Sequence, residues 1–311
     1  MHVAPRRPDG RGPGELRARD LRLGEVPTAA GSAWFTQGNS HVAVTVLGPV
    51  ASKVSEEKLA SATVSVTSHF LDGIPNGGGG ASKARADALR TELARREVDL
   101  SMLVEDVCQS VVVLEQYPRC TIHLSVRVLC DDGCVEAVAV NAVMSALLDA
   151  GVSCRYTAVA MGVKAIGQRR EDSNSPLDDK RGRGASQSTV GTTTTTTTTT
   201  VLIDPCRDEE EEDDGGDDDI GTVAALSSSA VFSAPGAAGR ASPAEAARGA
   251  TWGRGLFVYS FAEGSSVGTT FPCIIKQRVS CRDIGVYQVM ERVAASAAEN
   301  LHGFFVKAFC S

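Results

Sequence analysis

The densest chemistry in this sequence is carboxylate. Residues 208–219 hold ten acids and no base. Carboxylates and water together suit Mg2+. A run this dense reads first as a solvated acidic loop. The opposite charge gathers earlier, at Lys83, Arg85, Arg90, Arg95 and Arg96 on the helix-prone stretch Ser82–Arg96. Such a row can meet nucleic-acid phosphates. It can also be a solvated helix face with internal pairs such as Glu92–Arg96. Cys130 and Cys134 stand four apart. No second ligand pair accompanies them, so they read as buried thiols before a zinc site. His41 and His123 fall on strand patterns and read as sheet-face residues. No nucleophile–base arrangement is legible.

Composition narrows the classes further. The 311 residues are 42% apolar and 22% charged, with a net charge of −7. Without the acidic run, 31 cations face 28 anions, so the body is nearly neutral. That excludes a strongly basic nucleic-acid module. Nine Cys without paired C-x-x-C spacing point to a reducing compartment. The Arg-rich start has no apolar core and is not a secretory signal. The longest apolar stretch, Ala137–Leu148, is too short to span a membrane. A soluble intracellular protein with no membrane partner is expected.

These groups need elements to hold them. Ser40–Leu47 is β-rich, with Gly38-Asn39 as a hairpin turn before it and Gly48-Pro49 as its stop. Ala62–Thr67 alternates as a half-buried strand. Leu100, Leu103, Val104, Val107, Val111 and Leu114 repeat at helical spacing. Thr121–Leu129 alternates again, and Asp131-Asp132-Gly133 is a turn. Ala137–Ala150 is apolar on nearly every face and predicts a buried helix, with Gly151 at its C-terminus. Tyr156–Lys164, Val201–Ile203, Thr222–Leu226 and Leu256–Phe261 predict strands. Arg282–Val306 predicts a closing helix with Ser280 as its cap. The expected architecture is a mixed α/β sandwich in the α+β class. Residues 1–30 read as an Arg-rich segment, favoured as a flexible tail, and 31–311 as one domain. Inserts at 168–200, 205–219 and 233–252 are low in bulky apolar residues and read as solvated loops.

Four blocks carry a resemblance. Arg7–Arg17 (RPDGRGPGELR), Gly31–Pro49, Val128–Gly151 and Val201–Pro205 (VLIDP) resemble the signature segments of RNase PH-type proteins, in the same order. The wording of Gly48–Val66 and the pair Asp204-Pro205 are similar to ring subunits of the eukaryotic RNA exosome. The resemblance implies an RNase PH-like fold. It implies a ring of six such chains, RNA-binding cap subunits above it, and RNA threading the channel from its 3′ end. It also implies a nuclear, nucleolar and cytoplasmic location, and it sets the basic stretch 82–96 near the channel mouth.

Active members of that family cut RNA by phosphorolysis. Phosphate must be held by donors and arginines, and the transition state must be neutralised. Where active members carry glycine-threonine-arginine before the buried helix, this chain has Cys134-Val135-Glu136. A family arginine on the preceding helix matches the stretch Met102–Asp106, which holds no base. The phosphate site therefore reads as lost at Val135, Glu136, Met102 and Asp106, with no catalytic residue. Two family aspartates, six apart, match Asp213 and Asp219, which would be the Mg2+ ligands. Otherwise no cofactor is implied. Two alternatives stand beside a non-catalytic ring subunit. One is an active phosphorolytic or metal-dependent exoribonuclease. The other is an independent homo-oligomeric nucleic-acid-binding protein.

Overall fold

The computed structural model describes residues 7–54, 57–71, 83–170, 196–211, 250–261, 272–281 and 283–310. The first sheet holds β1 (Arg19–Leu23), β2 (Gly31–Gln37), β3 (Ser40–Ala51), β4 (Thr63–Phe70) and β5 (Cys120–Cys130), in the order β1-β2-β3-β5-β4. Its pairs are antiparallel except β4 with β5. The second sheet is antiparallel, with β6 (Thr157–Arg170), β7 (Thr196–Ile203), β8 (Ala250–Phe261) and β9 (Cys273–Cys281) in the order β7-β6-β8-β9.

Helices fill the space between the sheets. These are α1 (Lys83–Val111), α2 (Val135–Asp149) and α4 (Ile284–Cys310), with a single turn α3 at Arg207–Glu211. α2 touches β2 and β3 on one side and β6 on the other, and α4 packs on the second sheet. This is the expected mixed α/β sandwich. β5 shows why the pattern is readable: Ile122, Leu124, Val126 and Val128 are buried while His123 and Arg127 are exposed. α2 is buried along its first twelve residues apart from Glu136. Gly151 takes a left-handed φ of 65° and its N–H bonds to Leu148 O, closing the helix as expected. Gly38, at φ 61°, makes the β2–β3 hairpin.

Several boundaries differ from the sequence expectation. Gly48-Pro49 does not stop β3; the strand continues to Ala51 across an irregularity. The two helical patterns after Ser82 are one helix, because its polar residues 88–95 are mostly exposed and its second half packs. Ser280 lies in β9 and caps nothing; α4 begins after Asp283, whose carbonyl accepts from Tyr287 N. The inserts are also shorter than their composition implies. β6 runs to Arg170, and Thr196–Thr200 of the threonine run pairs with it, as β-branched residues readily do. β8 starts at Ala250. The expected strand Thr222–Leu226 lies outside the described residues.

The Arg-rich start is a correction too: it is not a loose tail where it is described. Arg7 and Arg17 are 4% and 6% exposed. Arg7 forks onto Glu209 with two 2.7 Å bonds and also donates to Ile203 O and Asp204 O. Arg17 donates to the fully buried Asp204 carboxylate and to the carbonyls of Asp132 and Gly133. Planar guanidinium forks suit this bidentate work. The segment therefore clamps the end of β7 to the turn before α2.

Candidate functional site

The start of α2 is where the sequence predicts a lost anion site. A helix start presents unpaired N–H groups and a positive dipole end. The turn is built by Asp131 Oδ1, which accepts from Gly133 N at 3.1 Å, and by Cys134 in a left-handed conformation at φ 53°. No cap side chain from Cys134 satisfies the helix start. Instead Cys134 N donates to Glu210 Oε1 at 3.1 Å. Glu210 arrives on α3, whose Arg207 N bonds to Asp132 O at 3.0 Å. Gly133 makes that approach possible. A Cβ there would lie 2.7 Å from the backbone of 205–207.

These groups rim a cleft of about 570 Å³ lined by Arg96, Val135, Glu136, Glu210, Arg254 and Arg278, among others. Arg278 Nη1 donates to Glu136 Oε1 at 3.3 Å. Arg254 Nη2 donates to Glu210 O at 2.7 Å. Arg96 pairs with Asp131, and its guanidinium lies 4.6 Å over the Phe70 ring. Burial lifts the Glu136 carboxyl above its usual range, against the pull of Arg278. Burial does the same to Glu210, against its bond from Cys134 N and the charge of Arg254. The cleft is thus cationic at its rim and already holds two carboxylates of its own.

The structure divides the residues expected at this site. Val135 and Glu136 line the cleft. Met102 and Asp106 do not: Met102 is 58% exposed, and Asp106 pairs with Lys276. At 3.6 residues per turn they sit roughly 120° and 80° around α1 from Arg96. Arg96 is the α1 residue that reaches the cleft, so the helix keeps a cation there. Of the basic row, Arg90 and Arg95 are exposed, and Arg95 is 4.0 Å from Asp99. Lys83 and Arg85 lie on α1, but their side chains are outside the described residues. Asp213 and Asp219 are also outside them. Among the described residues no group of three or more His, Cys, Asp or Glu could hold a metal. No helix among them is long and apolar enough to cross a membrane.

Sequence reasoning missed Arg254, Arg278 and Glu210. The strand Cys273–Cys281 offers a weak signal, since Ile274 to Val279 mixes branched and charged residues as an edge strand does. Glu210 has no signal, being one acid among ten.

Residues 15–153 match the model for the 3′ exoribonuclease family, domain 1. These residues, just under half of the chain, are similar to an RNase PH domain. The chain is 30% identical over 154 residues to an Arabidopsis thaliana exosome complex component RRP41 homolog, covering 49% of this chain and 60% of that one. It is also 30% identical over 141 residues to the Schizosaccharomyces pombe exosome complex component rrp46, covering 45% and 54%. The chain thus spans less than two thirds of the length of these two relatives. The fold extends further than the sequence match. The crystal structure of rice (Oryza sativa) Rrp46 superimposes with a TM-score of 0.59 and 19% identity, covering 96% of this chain and 97% of that one. The RNase PH-like fold expected from the four sequence blocks is therefore the fold of the described residues on both sheets.

Proposed function

We propose that this chain is a non-catalytic, RNA-contacting subunit of an RNA exosome ring. Its role is to support 3′-to-5′ RNA decay and ribosomal RNA processing. The observation that carries the reading is the Glu210 carboxylate on Cys134 N, with Glu136 beside it. A phosphate entering at the α2 start meets two carboxylates where it needs donors. Like charges at close range in a partly desolvated cleft repel it. The similarity to exosome components supports the ring assignment. Its partners would be other RNase PH-like ring chains, cap subunits and RNA, in the nucleus, nucleolus and cytoplasm. Arg90, Arg95 and Arg96 are the described members of the proposed RNA-contacting row.

A second reading rests on the arginines. Arg96, Arg254 and Arg278 keep the cleft cationic, and Asp213 with Asp219 would hold a Mg2+ that neutralises charge in an active nuclease. Asp219→Ala separates the readings, since RNA cleavage that depends on Asp219 belongs to the enzyme alone. Assembly is tested by native mass. Co-expressed with RNase PH-like ring chains, this chain should enter a hetero-oligomer. A stable homo-oligomer that ignores those chains would instead support an independent RNA-binding protein.

A further inference from the structure

A second cleft, of about 480 Å³, opens between β1 and α4 and is separate from the α2 start. Its walls are Arg19 from β1 and Ser296, Asn300, Gly303, Phe304 and Lys307 from α4, with Glu299 also on the lining. Positions 296, 300, 303 and 307 recur every three or four residues, so they share one helix face. Arg19 stands apart from the two clamping arginines. Arg7 and Arg17 are saturated with carboxylate and carbonyl acceptors. Among the described residues the buried Nη1 of Arg19 has no hydrogen-bond acceptor. A buried unsatisfied donor on a charged group is costly. The guanidinium is nevertheless held in place, 5.2 Å from the Phe304 ring centroid. Burial also lowers the Arg19 pKa, against the charge of Asp204. Gly303 leaves the helix surface open, since a Cβ there would meet nothing within 4 Å.

We propose that this cleft binds a phosphate group, either in an RNA backbone or as free inorganic phosphate. Arg19 and Lys307 supply charge, and Asn300 and Ser296 supply neutral donors from the same helix face. Phosphate has enough acceptor oxygens to take all four, and Arg matches it with a bidentate fork. Glu299 is the one acid on the lining, against two bases. The site does not depend on the reading of the α2 cleft, because no lining residue is shared.

The test uses the full chain and two probes. Inorganic phosphate is titrated by calorimetry, and a short oligoribonucleotide by fluorescence anisotropy. Arg19→Gln removes the orphan donor. Gly303→Leu fills the cleft without touching a charge, and Leu is the better helix former. Arg155→Gln, at an exposed pair with Glu115, is the surface control. Circular dichroism checks folding. Binding should weaken about tenfold or more in the Arg19 and Gly303 variants and stay level in the control. Oligoribonucleotide binding that phosphate does not compete away identifies the RNA backbone as the source. Phosphate binding without oligonucleotide binding identifies the free ion. If neither probe binds, or if binding is the same in Arg19→Gln and Gly303→Leu as in the unaltered chain, the proposal is wrong.

Discussion

Glu210 and Glu136 set the chemistry of the α2 cleft, and both carry a pH signature. Burial raises each carboxyl above its usual value of 4.5. Each therefore holds its proton more tightly folded than unfolded. Stability from these groups is fullest below the unfolded value and falls as pH rises through the folded one. A Glu136→Gln, Glu210→Gln double variant should flatten that fall, since an amide oxygen at 210 can still accept from Cys134 N. Denaturant unfolding at about pH 5 and about pH 7 reads the difference. Glu209 runs the other way. Burial pushes its carboxyl up, but the bonds from Arg7 and from Cys206 N outweigh that and hold it low. Its contribution is present above the unfolded value and lost as pH falls through the folded one. Arg17 tests the clamp. Arg17→Ala leaves the buried Asp204 carboxylate only the residue 17 backbone N–H and the longer 3.8 Å Arg11 contact, and should cost about 3 kcal/mol by the same unfolding measurement. At this scale the sequence was only half readable. Val135 and Glu136 were legible because they lie in a turn whose neighbours fix the register. Met102 and Asp106 were set at the cleft, where Arg96 stands, because counting along α1 carries no information about which face turns inward. Arg7 and Arg17 looked like tail residues because their partners lie 115 to 202 positions away.

At the scale of elements, the reading succeeds where one face is buried and fails at the half-wet strands β1 and β9. β5 and α2 were legible because alternation and all-round apolarity report burial directly. β1 and β9 are edge strands, half wet, and their patterns are correspondingly weak. The long α1 looked like two pieces because only its second half meets the core. Contacts between distant elements were not legible at all. Phe35 on β2 is fully buried, with ring centroids 5.7 Å from Phe305 and 6.5 Å from Phe304 on α4. That contact ties the first sheet to the C-terminal helix. Phe35→Ala should cost about 3–5 kcal/mol, read as a lower denaturant midpoint. A loss below about 1 kcal/mol would mean that α4 is not docked on the first sheet as described.

For the whole molecule, two sheets with helices between them bring the β5–α2 turn, α3, β8 and β9 to one cleft. The acidic run, which looked like solvated filler, sends Glu210 into that cleft. Part of the molecule's negative charge thereby sits at the α2 start, where the sequence resemblance implies a phosphate in active relatives. This changes what a simple reversion should do. Val135→Thr with Glu136→Arg restores the motif residues at the turn, and Arg96 is already present. Glu210 still occupies Cys134 N, so the double variant should remain inactive. The direct measurement is phosphate-dependent release of nucleoside diphosphate from a 3′-extended RNA. The purified chain and the Val135→Thr, Glu136→Arg variant are each incubated with Mg2+, with and without inorganic phosphate. No nucleoside diphosphate from either protein is the predicted result. Phosphate-dependent release by the unaltered chain would contradict the account and make this subunit a phosphorolytic enzyme.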